Sequence, residues 1–164
     1  MSESNPDRNA AHDLSREDFL AVLRATPLVS IDIAMYDGEG KALLGRRTFR
    51  PARGAWFVPG GRIRKGETVA DAFGRICARE LGIEARLDDA RLLGVFDHLY
   101  DDNRFGVDGI TTHYVAIGYA YRLPGNARVR ADDQHDELRW FAIDELLRHP
   151  DVHENTKRYF RERD

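Results

Sequence analysis

The chain has 164 residues, a formal net charge of −3 and a pI near 6.1. That is the length of one ordinary domain, with no overall basic field to draw it to nucleic acid or to an anionic membrane. Its 42% hydrophobic and 32% charged residues are the balance of a globular protein. A lone cysteine, Cys77, excludes an intrachain disulfide and fits a reducing, cytoplasmic compartment, and no apolar run has the length of a signal peptide or membrane helix.

Residues 1–13 are polar and carry little that could pack, so they are expected to fray, leaving 14–164 as a single domain. SREDFLAVLRATP reads as a short helix with Ser15 as N-cap, an apolar stripe of Phe19, Leu20, Val22 and Leu23, and Pro27 as its stop. LVSIDIAMYD alternates as a strand, GEG turns the chain, and KALLGRRTF is a second strand. WFVPGG is a short extended piece ending in a glycine turn. A helix from Thr68 to about Leu81 follows, stopped by Gly82. RLLGVFDHLY and THYVAIGYAYRL are two further strands around the polar loop DDNRFGVDGI, ELRWFAI is another strand, DELLRHP a short helix and HENTKRYFRER a terminal helix. Strands, a central helix, more strands and closing helices do not alternate as βαβ units. The expected class is α+β, an αβα sandwich around a mixed sheet.

The central helix carries an anomaly. At ~100° per residue, Val69, Ala72, Phe73, Ile76 and Cys77 share one arc, and Glu80 projects from the middle of it. A carboxylate there must be protonated, paired with a cation or bound to a metal, because an unpaired buried charge is strongly unfavourable. Just upstream, Lys41 to Gly66 contains no acid but holds Lys41, Arg46, Arg47, Arg50, Arg53, Arg62, Arg64 and Lys65. Arg62 follows the Gly60-Gly61 turn, where backbone can approach an anion or metal closely. A carboxylate beside clustered arginines is a layout for a hard cation with a diphosphate.

Gly61, five residues, Glu67, seven residues, Arg75, then Glu80, Leu81, Gly82 and Ile83 resemble the Nudix box over 23 residues. Two positions depart from it. Ile76 stands where the box has a glutamate after the arginine, and Arg79 replaces the first of two adjacent glutamates. The GDP-mannose mannosyl hydrolases, a Nudix subfamily, share these losses. TPLVSID, LLGRRTFRPARGAWFVPGGRI, FDHLYDDN, TTHYVAIGY and DDQHDELRW are similar to that subfamily across nearly the whole chain after residue 14.

The resemblance implies one Mg²⁺ per subunit, held by the Gly60 carbonyl, the Glu80 carboxylate and the Gln134 side-chain oxygen. Such oxygen-only ligation suits Mg²⁺ rather than zinc. It implies a GDP-sugar substrate, GDP-mannose or GDP-glucose, cleaved with inversion by water at the anomeric carbon. His135 would be the base, Arg47 and Arg62 would grip the diphosphate, and Asp32, His98 and Tyr114 would surround the sugar and leaving group. Leu14 and Phe19 would touch the nucleotide in a homodimer. Glu67 and Arg75 read as a structural ion pair, and His113 and His153 as bystanders. Two other functions remain open at this point: a Nudix hydrolase attacking phosphorus, and a nucleotide-sugar-binding module without turnover.

Overall fold

The computed structural model describes residues 14–130 and 135–161. The segment 1–13 and Gln134 lie outside the described residues. Helix α1 (Arg16–Ala25) is capped as its sequence predicts, Ser15 Oγ accepting a 3.1 Å hydrogen bond from the Asp18 amide. Strands β1 (Leu28–Tyr36), β2 (Ala42–Arg47), β3 (Trp56–Phe57) and β4 (Gly60–Arg62) precede helix α2 (Val69–Ile76). Strands β5 (Arg91–Tyr100), β6 (Thr112–Arg122) and β7 (His135–Phe141) then lead to α3 (Ile143–Arg148) and α4 (Glu154–Lys157).

The described strands form one mixed sheet in the order β3-β2-β1-β6-β5, with β4 added to β1 and β7 to β2. Strand β1 lies at its centre. It runs parallel to β6 along its whole length, and antiparallel to β2 at one end and β4 at the other. Because strand side chains alternate between faces, β1 serves two cores. Ile31, Ile33 and Met35 pack with Phe73, Ile76, Cys77 and Leu81 of the central helical segment on one face. Ala34 joins Trp56, Phe96, Phe141, Leu146, Tyr159 and Phe160 on the other. A third cluster seats Leu20 and Leu23 of α1 against Leu28 and Ile110. Helices therefore cover both faces of the sheet, the αβα sandwich expected from the element order.

Two helices differ from their sequence reading. The helix predicted to run through Leu81 is α-helical only to Ile76 and continues as a wider π-type turn, Cys77–Leu81, closed by Gly82 at φ 66°. The terminal helix predicted over HENTKRYFRER is α-helical only over Glu154–Lys157, after which turns bring Tyr159 and Phe160 into the core. Amphipathic spacing does not separate one long helix from a short one followed by turns when both bury the same residues. WFVPGG also resolves into two short strands. Strand β7 begins at His135, in what the sequence presents as a loop.

Phe73, fully buried between α2 and the sheet, meets Tyr119 and Tyr121 edge-on. Phe73→Ala is expected to lower the unfolding free energy in urea by about 3–5 kcal/mol, leaving the m-value unchanged.

Candidate active site

The site begins with the loop between β4 and α2. Arg75 donates from Nε to Glu67 Oε1 (2.5 Å) and from Nη2 to Glu67 Oε2 (2.9 Å), and the same Nη2 reaches the Arg62 carbonyl at 2.9 Å. Glu67 Oε2 also accepts from the Arg64 amide at 2.8 Å. Burial pushes the Glu67 carboxyl up, but the Arg75 hydrogen bonds and the Arg64 contacts outweigh it and hold the group below its usual range. The loop is thus tied to the helix at both ends, as expected for a structural ion pair.

Above this loop opens a cavity of about 420 Å³, within the size range of small-molecule sites. Eight of the residues expected at the site line it: Leu14, Phe19, Asp32, Arg47, Gly60, Arg62, His98 and Tyr114. Glu80 is not in its wall, but the side chain is buried at 3% exposure and its Oε2 is shut off from solvent, next in sequence to the lining residue Arg79. His135 heads β7, where its backbone is in register with Arg47. Gln134 falls outside the described residues. His153 stacks on Phe57 at 4.7 Å and accepts from the Asn155 amide through Nδ1 (3.1 Å), and His113 meets Asp97 on the surface at 3.2 Å.

Among the described residues, five arginines line the cavity, Arg47, Arg50, Arg62, Arg79 and Arg104, against one carboxylate, Asp32. Arg47 is held in place by its bond to the Pro51 carbonyl (2.9 Å) and by the Phe57 ring 4.0 Å beneath its guanidinium. Asp32 receives a 2.7 Å hydrogen bond from the Tyr159 hydroxyl. Burial pushes its carboxyl up to about 6, against the lowering influence of Tyr159 and Arg47. His98, 4% exposed, is pushed the other way, down to about 4, by burial and then by Arg158, His153 and Arg47. It is therefore neutral at physiological pH. Tyr114 sits beside this pair, its phenol raised by burial.

Sequence reasoning passed over Arg79, Arg104, Tyr100 and Tyr159. Arg79 carried a signal, a guanidinium in place of a box acid. Arg104 lies in a loop of mixed charge. There Asn103, fully buried, donates to the Val107 and Ile110 carbonyls (2.8 Å each) and accepts from the Phe105 and Val107 amides. Nothing local in the sequence announces that anchor.

Among the described residues no three His, Cys, Asp or Glu side chains gather as a metal cluster. The described residues instead offer the buried Glu80 carboxylate and the Gly60 backbone. A Cβ at Gly60 would lie 2.4 Å from Asp32 Oδ1 and 2.6 Å from the Ile31 carbonyl, so only glycine fits there. Oxygen donors of this kind fit a hard divalent cation and suit no thiolate- or imidazole-preferring metal.

A NUDIX domain model matches residues 26–163. The low-salt glycan biosynthesis protein Agl8 of Haloferax volcanii is 39% identical over 126 residues, covering 76% of this chain and 77% of that protein. The solved MutT NUDIX hydrolase from Burkholderia pseudomallei superposes with a TM-score of 0.67 at 31% identity, over 82% of this chain and 96% of that one. The MutT protein from Methanosarcina mazei Go1 reaches the same TM-score at 19% identity, over 83% and 92%, a likeness of fold. The fold and box describe a hydrolase domain of one class. The chain belongs to the Nudix family.

Asp32 supplies a pH test. Folded, it keeps its proton to about pH 6, whereas its reference value is 3.8. The unfolded chain releases the proton first, so the Asp32 contribution to stability falls as pH rises from about 4 to about 6. Asp32→Asn is expected to stabilise the metal-free protein by on the order of 1–2 kcal/mol above pH 7. That gain should vanish below about pH 4 in urea unfolding followed across pH.

Proposed function

We propose that this chain is a Mg²⁺-dependent hydrolase of a GDP-sugar, GDP-mannose or GDP-glucose, which releases GDP and the free sugar by inverting attack of water at the anomeric carbon. The observation that carries the proposal is the charge layout of the cavity among the described residues: five guanidinium groups, one carboxylate and a neutral histidine. Planar guanidinium forks grip diphosphate oxygens in pairs, and they stabilise the charge that develops on GDP as it departs, so no proton donor to the leaving group is needed. Asp32 supplies negative charge where positive charge grows on a sugar carbon losing its bond to oxygen. His135 takes the proton of the attacking water. Its register with Arg47 brings its backbone to the cavity edge, and imidazole has an ordinary pKa of about 6.5. As the water oxygen bonds to the anomeric carbon, the carbon–oxygen bond to the diphosphate breaks and its electron pair leaves with GDP.

The Gly60 carbonyl, Glu80 and Gln134 would hold the Mg²⁺, which when bound neutralises the diphosphate. Arg79 and Ile76, in place of two box acids, leave little for a second cation. Tyr114 packs beside the sugar and leaving group, and Leu14 and Phe19 lie where the nucleotide would extend. The name of the Haloferax relative concerns glycan biosynthesis, a process fed by nucleotide-activated sugars, and this supports a sugar substrate. We also read the protein as a cytoplasmic homodimer. The exposed Leu92, Val95 and Leu99 of edge strand β5 offer an apolar surface for pairing.

Hydrolysis in ¹⁸O-water is expected to label the free sugar and not the nucleotide; label in the nucleotide would establish attack at phosphorus instead. His135→Gln should lower kcat by about 10²–10⁴-fold, and EDTA should abolish turnover until Mg²⁺ is restored. Tight GDP-mannose binding without any product, in the wild-type chain with Mg²⁺, would mark a binding module and overturn the enzymatic reading.

A further inference from the structure

The C-terminal segment enters the site without touching the cavity. Tyr159 lies 127 positions from Asp32 in sequence, is 6% exposed and is absent from the cavity wall. Its ring packs edge-on against Phe96 (4.8 Å between centroids) and lies 6.0 Å from the His98 ring. Its hydroxyl donates to Asp32 Oδ2 at 2.7 Å and stands 3.4 Å from His98 Nε2. A hydroxyl has one proton. With that proton committed to the carboxylate, Tyr159 can meet His98 only as an acceptor. One buried group thus touches two of the side chains that face the cavity, Asp32 and His98.

The sheet makes room for this contact. Asp32 is paired on one side with Gly60, antiparallel, and on the other with Gly118, parallel. Neither glycine has a positive φ, so backbone conformation does not demand them. Space does. A Cβ on Gly118 would lie 2.5 Å from Tyr159 Cε1 and 3.0 Å from Cδ1, and a Cβ on Gly60 would meet Asp32 Oδ1 at 2.4 Å. Two neighbouring strands are therefore stripped of side chains at the level of Asp32. One gap admits Oδ1 and the other admits the ring that binds Oδ2. The opening at Gly118 accommodates the ring, and the ring in turn sets its hydroxyl on the carboxylate, a contact that core filling alone would not require.

We propose that Tyr159 is a positioning residue, whose hydroxyl fixes the Asp32 carboxylate in its working orientation through the opening left by Gly118. This rests on the reading above in which Asp32 faces the reacting sugar. Two variants and their double mutant test it. Tyr159→Phe keeps the ring and is expected to lower kcat for GDP-sugar hydrolysis about tenfold, with KM within about twofold. In an Asp32→Ala background the same change should alter kcat by less than about twofold, because the group being positioned is gone. A merely structural tyrosine would lower kcat equally in both backgrounds, and that result would overturn the proposal. Gly118→Ala, which fills the opening and leaves the hydroxyl present, should reproduce the Tyr159→Phe loss; a wild-type kcat there would overturn it as well. If the wild-type chain releases no GDP from GDP-sugars, the substrate reading fails separately. The same four proteins of the cycle are then compared by urea unfolding, where a coupling between positions 32 and 159 supports the contact and strict additivity removes it.

Discussion

The double hydrogen bond from Arg75 to Glu67, with the third from Arg75 to the Arg62 carbonyl, is the constraint on which the site is built. It joins the first turn after β4 to the last turn of α2 and so fixes the backbone that presents Gly60, Gly61 and Arg62 to the cavity. Both partners are partly shielded from solvent, at 23% and 16% side-chain exposure. The geometry is bidentate, which distinguishes this pair from the solvent-exposed ion pairs of the surface. It adds to the pairing of β4 with β1 and to the Ile63 amide bond to the Val29 carbonyl (2.8 Å), which hold the start of the same loop.

The two departures from the box have different physical fates. Ile76 is 1% exposed, belongs to the core under the sheet, and would lie 3.2 Å from a Cβ at Gly61. It has become packing. Arg79 has instead become part of the cavity wall, so a position that carries a negative charge in the box carries a positive one here. The net effect is one acid fewer and one guanidinium more at the cavity wall. Glu80 remains as the buried carboxylate of the segment, within the widened turn that follows α2.

Much of the fold was legible because it is local. The Ser15 cap, the alternation of β1 and the apolar arc of α2 all follow from neighbours a few residues apart. The cationic wall was partly legible as an acid-free basic run, since Arg47, Arg50 and Arg62 lie close in sequence. What escaped depends on register and long closure. Arg104 reaches the cavity because Asn103 organises the loop after β5, and Tyr159 reaches Asp32 because Gly118 of β6 lies beside β1. The end of α4 was misread because Tyr159 and Phe160 are as apolar in a turn as in a helix.

The loop from Asp101 to Thr111 has one more consequence. Its four contacts to Asn103, and the 2.7 Å bond from Thr112 to the Asp102 carbonyl, tie the stretch down from within. Phe105 is also clasped edge-on by Phe19 and overlain by Arg16. The entropy of arranging that rim is consequently lost during folding rather than at the moment of capture. Along this one stretch of rim, a ligand would meet side chains already in place.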